Sequence, residues 1–180
     1  IRKIPWNKEP TAQIICDLNY PSGEPSKLAP RQVLKNIIKK LSDERLEAVV
    51  APELEFYLCE QNLDPDLPLK TPIGKSGRRE TGSRVFGIDA VNEFDKLTDD
   101  IYDYCELMNM GVDTLVHESG PSQIEINLNH GDPLALADQA FMFKRAVRQV
   151  ALKHNIHATF MAKPYQGQPG SSMHIHQNLV

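Results

Sequence analysis

Three separate stretches of the chain alternate between hydrocarbon and polar side chains, and in each the polar side carries carboxylate or imidazole groups. A β-strand turns successive residues to opposite faces, so alternation of this kind predicts strands buried on one face only. In Val49–Leu58, Glu53 and Glu55 share a face with Ala51 and Tyr57, and Val50, Leu54, Phe56 and Leu58 make the other. In Gln123–Asn129, Gln123, Glu125, Asn127 and Asn129 stand opposite Ile124, Ile126 and Leu128. Glu118 lies just upstream, where a strand breaks into the turn Ser119-Gly120-Pro121. Near the end, His174, His176 and Asn178 face away from Met173, Ile175 and Leu179.

Taken singly, each stretch is an ordinary half-solvated strand, and a lone His-x-His binds nothing by necessity. The combination is more demanding. Glu-x-Glu, a pair of glutamates with six residues between them and His-x-His are all poor in Lys and Arg neighbours. On one sheet face the four glutamates would repel one another and raise their own pKa values unless cations sat between them. A pair of divalent ions would offset that charge. Oxygen-rich ligation suits Mg²⁺ or Mn²⁺, and an added imidazole tilts one site toward Mn²⁺. Two-metal sites of this composition serve phosphoryl transfer, because the ions neutralise phosphate oxygens and orient in-line attack.

The remaining pattern supplies the scaffold. Ala12–Leu18 reads as a short buried strand. Pro30 opens a helix with Val33, Leu34, Ile37, Ile38 and Leu41 on one face. Residues 61–83 turn to Pro, Gly, Lys and Arg without apolar periodicity and read as a long exposed loop. Phe94–Met110 suits a helix stopped by Gly111, and Val112–His117 a strand. Asp132 followed by Pro133 is a helix start, with a stripe of Leu136, Ala140, Phe143, Val147 and Val150. His157–Met161 and Ser172–Leu179 read as the last strands, separated by the turn at Pro164–Gly170. Strands and helices mix without regular βαβ alternation, so the fold class expected is α+β with a largely antiparallel sheet.

A chain of 180 residues can bury a core as one domain or part of a larger one. Lys and Arg total 20 against 24 Asp and Glu, a net charge of −4, so no basic field points to nucleic acid. Cys16, Cys59 and Cys105 are far apart with no C-x-x-C spacing, as expected of thiols in a reducing compartment. No apolar run approaches the ~18 residues of a membrane span, and no signal-peptide pattern opens the chain. No membrane partner is expected, and the expected location is cytoplasmic. Gly74-Lys75-Ser76 lacks the upstream glycine of a P-loop and follows no strand. The opening Ile1-Arg2-Lys3 and the end at Val180 read as the bounds of a segment from a longer chain.

Ala158-Thr159-Phe160-Met161-Ala162-Lys163-Pro164, followed by Pro169-Gly170-Ser171-Ser172-Met173-His174-Ile175-His176, resembles the signature of the glutamine synthetase family. Ala51-Pro52-Glu53-Leu54-Glu55-Phe56 resembles that family's strand with two metal-binding glutamates, and His117-Glu118 with Gln123-Ile124-Glu125-Ile126-Asn127 its second acidic pair. The segments follow the family's order over most of residues 48–180. The resemblance implies a curved antiparallel sheet with flanking helices, here as a partial catalytic domain over 1–180. The family's small N-terminal β-grasp-like domain and the C-terminal half of the catalytic domain lie outside it.

Carried over by position, Glu55, Glu118 and Glu125 would hold one ion, and Glu53 and His174 the other. His176 and Asn178 would contact the nucleotide, and the Gly170 backbone the glutamate substrate. The resemblance implies ATP, glutamate and an amine as substrates, and a homo-oligomer with active sites between subunits. Gly87-Ile88-Asp89-Ala90-Val91-Asn92-Glu93-Phe94, His130-Gly131-Asp132 and Ala162-Lys163-Pro164 resemble γ-glutamylputrescine and related γ-glutamylpolyamine synthetases. The expected reaction is therefore ATP-dependent joining of the glutamate γ-carboxylate to a polyamine, the 180-residue segment by itself being inactive. Ammonia as the acceptor, and a non-catalytic scaffold of the same fold, stay open as alternatives.

Overall fold

The computed structural model describes residues 1–180. Along the chain the periodicities resolve into β1 (Arg2–Lys3), β2 (Ala12–Gln13), α1 (Pro30–Asp43), β3 (Ala48–Glu60), α2 (Ile88–Asn92) and α3 (Asp95–Leu107). Then follow β4 (Val112–His117), β5 (Gln123–Leu128), α4 (Pro133–Lys153), β6 (Ile156–Thr159) and β7 (Met173–Leu179). No helix is long and apolar enough to cross a membrane.

The long strand β3 organises a five-stranded sheet in the order β4-β5-β3-β6, with β7 also on β3 and every pairing antiparallel. β5 and β7 both pair with Glu53 and Leu54, so they take opposite edges of β3. β6 continues the β7 edge along Tyr57–Glu60. Pro52 interrupts β3 without breaking it. Even-numbered amides here point toward β5, as Val50 N–H does to Gly131 O at 3.0 Å. The missing N–H of Pro52 therefore falls where the β5 ladder has given way to a single bridge between Val50 and Gly131.

The hydrocarbon face of the sheet is the core. Leu54, Phe56 and Leu58 of β3 and Ile124, Ile126 and Leu128 of β5 are all at most 2% exposed. They pack with Leu97, Ile101 and Cys105 of α3 and Leu136, Phe143, Val147 and Val150 of α4. Phe160 closes one end, its ring 5.2 Å from that of Phe56 and 6.5 Å from that of Phe143. α4 starts as its sequence dictates, with the Asp132 carboxylate accepting from Ala135 N–H at 2.7 Å and Pro133 in the first turn.

Several sequence expectations are corrected. Ala12–Leu18 is not a buried strand. Only Ala12–Gln13 pairs, with Arg2–Lys3, and Ile14 and Leu18 are exposed while Ile15 alone of the run packs against the core. α1 forms where expected but has no fully buried residue, and Val33 and Ile37 are each 48% exposed. α3 ends at Leu107, before Gly111. Asn109 takes the left-handed turn at φ 52°, with its N–H on Glu106 O and Met110 N–H on Cys105 O. Asparagine tolerates that conformation and satisfies the last carbonyls as glycine would. α2 was not anticipated, nor was β1. β7 pairs only through β3, so its outer edge and all seven of its residues stay exposed.

Candidate metal centre

The polar face of the sheet gathers the residues singled out by alternation. Register places Glu53 opposite both Asn127 of β5 and His174 of β7, and Glu55 opposite Glu125. Directly opposed residues in an antiparallel pair share a face, so Glu53, Glu55, Glu125 and His174 stand together. His176 lies opposite Ala51 and Asn178 opposite Val49, one and two steps further along the same face of β7. Glu118 follows β4, its N–H bonded to Gln123 O at 2.8 Å.

Ligand atoms of Glu53, Glu125 and His174 lie within 4.8 Å of one another. This trio draws from both of the ligand sets implied by resemblance. The Glu53 carboxylate also meets both β7 imidazoles, His174 Nδ1 at 3.2 Å and His176 Nε2 at 3.0 Å. Glu55 is held differently. Its Oε2 accepts from Ser172 N–H at 3.0 Å and from the Gln123 amide at 2.9 Å. Glu118 accepts from Ser119 N–H at 3.2 Å.

Glu125 is the most telling member. It is 9% exposed, and no protein group donates a hydrogen bond to its carboxylate. Burial first, then the charges of Glu53, Glu118 and Glu55, push its pKa up to about 6, with His174 acting weakly in the other direction. No Lys or Arg forms an ion pair with any of the four glutamates. A cluster of hard oxygen donors with one imidazole, short of positive charge, has the chemistry that fits a divalent cation.

Three residues of this region were given no role by sequence reasoning. Gln123, 1% exposed, uses its whole amide. Besides Glu55 it donates to Gly170 O at 2.9 Å and accepts from Gly120 N–H at 2.9 Å. Its place on the acidic face was legible; its partners were not. Tyr57 is fully buried and donates to Pro169 O at 2.8 Å. Burial, followed by the charges of Glu55 and Glu118, pushes its phenol up to about 12, so it stays a neutral donor. A Cβ at Gly120 would stand 1.9 Å from the Tyr57 hydroxyl, so only glycine fits there. The long loop is exposed over most of its length, but Pro72 and Gly74 are buried, and Glu80 turns inward to the end of β4. Its carboxylate lies 2.8 Å from His117 Nε2 and accepts from Ser122 N–H at 2.6 Å. His117 Nδ1 in turn faces Glu118 O at 2.8 Å. Nothing in the sequence separates Glu80 from the other charges of its loop.

Gly170 sits in the turn before β7. A Cβ there would meet Ala162 O at 2.8 Å, and Ser171 N–H bonds the same carbonyl at 2.9 Å. The turn is therefore pressed against the segment that follows β6, with the Gly170 carbonyl drawn inward by Gln123.

With this geometry in place, residues 27–180 match the glutamine synthetase catalytic domain. The chain belongs to the glutamine synthetase family. It is 40% identical over 169 residues to the γ-glutamylputrescine synthetase PuuA of Escherichia coli K12, covering 93% of this chain and 36% of that enzyme. Similarity to a glutamate–isopropylamine ligase of a Pseudomonas species is 31% over 180 residues, 98% of this chain and 38% of the relative. A glutamine synthetase of Thermus thermophilus is 35% identical over 171 residues, 93% of this chain and 36% of its own length. Among solved structures, apo GmaS without ligand superposes with a TM-score of 0.76 at 26% identity, over 91% of this chain and 37% of GmaS. The chain thus spans a little over a third of the length of these curated relatives. The α+β class and the antiparallel sheet expected from sequence agree with that superposition.

Proposed function

We propose that the protein this chain belongs to joins the γ-carboxylate of glutamate to an amine at the expense of ATP. The observation that carries this reading is the family's pair of acidic strands and His-x-His strand meeting on one sheet face, with no Lys or Arg ion-paired to the glutamates. The likeness to γ-glutamylputrescine synthetase favours a polyamine such as putrescine as the acceptor. Similarity to glutamine synthetases keeps ammonia as the second reading. The segment is proposed to be part of a catalytic domain, completed by further sequence and by neighbouring subunits of a homo-oligomer.

In the proposed reaction a γ-carboxylate oxygen of glutamate attacks the γ-phosphorus of ATP. The bond to the β-phosphate oxygen breaks, leaving ADP and γ-glutamyl phosphate. The amine lone pair then adds to the acyl carbon, inorganic phosphate departs, and the nitrogen loses a proton to give the amide. Glu55, Glu118 and Glu125 are proposed to hold one Mg²⁺ or Mn²⁺, and Glu53 and His174 a second. When bound, the ions supply charge neutralisation for the phosphate oxygens. His176 and Asn178, further along β7, are proposed to meet the nucleotide, and the Gly170 turn the glutamate. The protein's own contribution is orientation: strand register holds the donors on one face before any ligand arrives.

The test is phosphate release from ATP by the full-length protein with glutamate and Mg²⁺ or Mn²⁺, given putrescine, spermidine, ammonia or no amine. The expected result is release that needs a polyamine and disappears in Glu125→Ala. A preference for ammonia would select the second reading, and silence with every amine from folded protein would refute ligase activity.

A further inference from the structure

Glu55 and the Gly170 turn are separated by more than a hundred residues of sequence, yet one side chain grips both. The Gln123 amide has two hydrogens and both are used, one on Glu55 Oε2 at 2.9 Å and one on Gly170 O at 2.9 Å, with Ser171 Oγ a further 3.5 Å contact. Its oxygen accepts from Gly120 N–H at 2.9 Å. The orientation is fixed by its neighbours, because a flipped amide would set its oxygen against two acceptors and its NH₂ against a donor. The group is buried, so no water replaces a lost partner without cost. Glu55 Oε2 also accepts from Ser172 N–H, two residues beyond Gly170. The carboxylate and the turn are thus parts of one hydrogen-bonded unit with Gln123 at its centre.

We propose that Gln123 is a positioning residue that couples occupancy of the metal centre to occupancy of the Gly170 turn by the amino-acid substrate. The inference deepens the ligase reading and rests on its placement of a cation at Glu55 and glutamate at the turn. A cation that draws on Glu55 shifts an acceptor of the Gln123 amide, and the same amide sets where the Gly170 carbonyl points. Glutamate that orders the turn returns the effect, since coupling between two binding sites is reciprocal. Substrate would then be held most firmly only when the ion that neutralises its phosphorylation is already in place.

The experiment is Mn²⁺ titration of the full-length protein, followed by electron paramagnetic resonance, with and without saturating L-glutamate. Wild type is compared with Gln123→Met, which matches the side chain's length without its polar atoms. Gln123→Asn, which keeps a neutral amide but is one methylene too short to reach both acceptors, guards against misfolding of the first variant. In wild type glutamate is expected to tighten Mn²⁺ at least about fivefold, the lower end of usual coupling between sites. In both variants the ratio should collapse toward unity while cooperative melting is retained. Variants that keep the wild-type ratio would overturn the role of Gln123 and leave the metal centre standing. Wild type that binds Mn²⁺ and glutamate independently would overturn it equally. Loss of cooperative melting in both variants would make Gln123 structural and refute the coupling. Wild type that binds no Mn²⁺ would instead refute the ligase reading on which the inference rests.

Discussion

At neutral pH Glu125 ionises beside Glu53, Glu55 and Glu118 with no Lys or Arg to balance it, and burial and those charges together push its pKa up to about 6. The fold therefore holds that proton more tightly than the unfolded chain, where the value is near 4.5. The sign follows by linkage: this proton's contribution to stability is fully present below about pH 4.5 and is lost as pH rises through about 6. Glu125→Gln, permanently neutral, should raise the melting temperature of the metal-free protein at pH 8 and leave it unchanged near pH 4. A rise of roughly 3 °C is expected for about 1 kcal/mol at this chain length. Melting in the presence of a chelator at both pH values checks it, and an equal shift at both would exclude the charge as the cause. Glu53, Glu55, Glu125 and His174 were legible because strand alternation needs no knowledge of tertiary structure. Glu80 and Tyr57 were not: one is a charge in a loop without period, the other an aromatic whose hydroxyl finds its acceptor more than a hundred residues away.

Among the elements, α4 shows how far local rules reach. Asp132 and Pro133 announce its start, and its stripe of Leu136, Phe143, Val147 and Val150 lies against the hydrocarbon face of the sheet. The cap is a single hydrogen bond from Ala135 N–H at 2.7 Å, so Asp132→Ala should cost about 1 kcal/mol, and Asp132→Asn much less. Urea unfolding of the three proteins measures the difference, and equal losses in both variants would assign the effect to charge in place of capping. Where the sequence misled, the deciding contact was tertiary. Ile14 and Leu18 have the composition of a buried strand, yet only Ile15 between them reaches the core. Gly111 looked like the stop of α3, yet the chain had already turned at Asn109. The strand pairs themselves could not be read from periodicity, because alternation fixes faces and leaves partners open.

For the molecule as a whole, the sheet separates two chemistries, a hydrocarbon side closed by α3 and α4 and a polar side open at the carboxylates. If that side takes a divalent ion, Mn²⁺ should stabilise the full-length protein by mass action, by about 2.7 kcal/mol at a hundredfold excess over its dissociation constant, and so raise its melting temperature. A flat response to millimolar Mn²⁺ would count against the site. The other consequence comes from β7, which has no neighbour on its outer edge and carries Met173, Ile175 and Leu179 at 43–53% exposure. Unpaired strand amides beside solvent-facing hydrocarbon form a template on which other copies can stack. Prepared by itself, the 180-residue chain is therefore expected to be a poor colloid, scattering more light as it is concentrated. Ile175→Lys should clear the solution while leaving the carboxylate face untouched, and turbidity unaffected by that substitution would point to some other sticky surface.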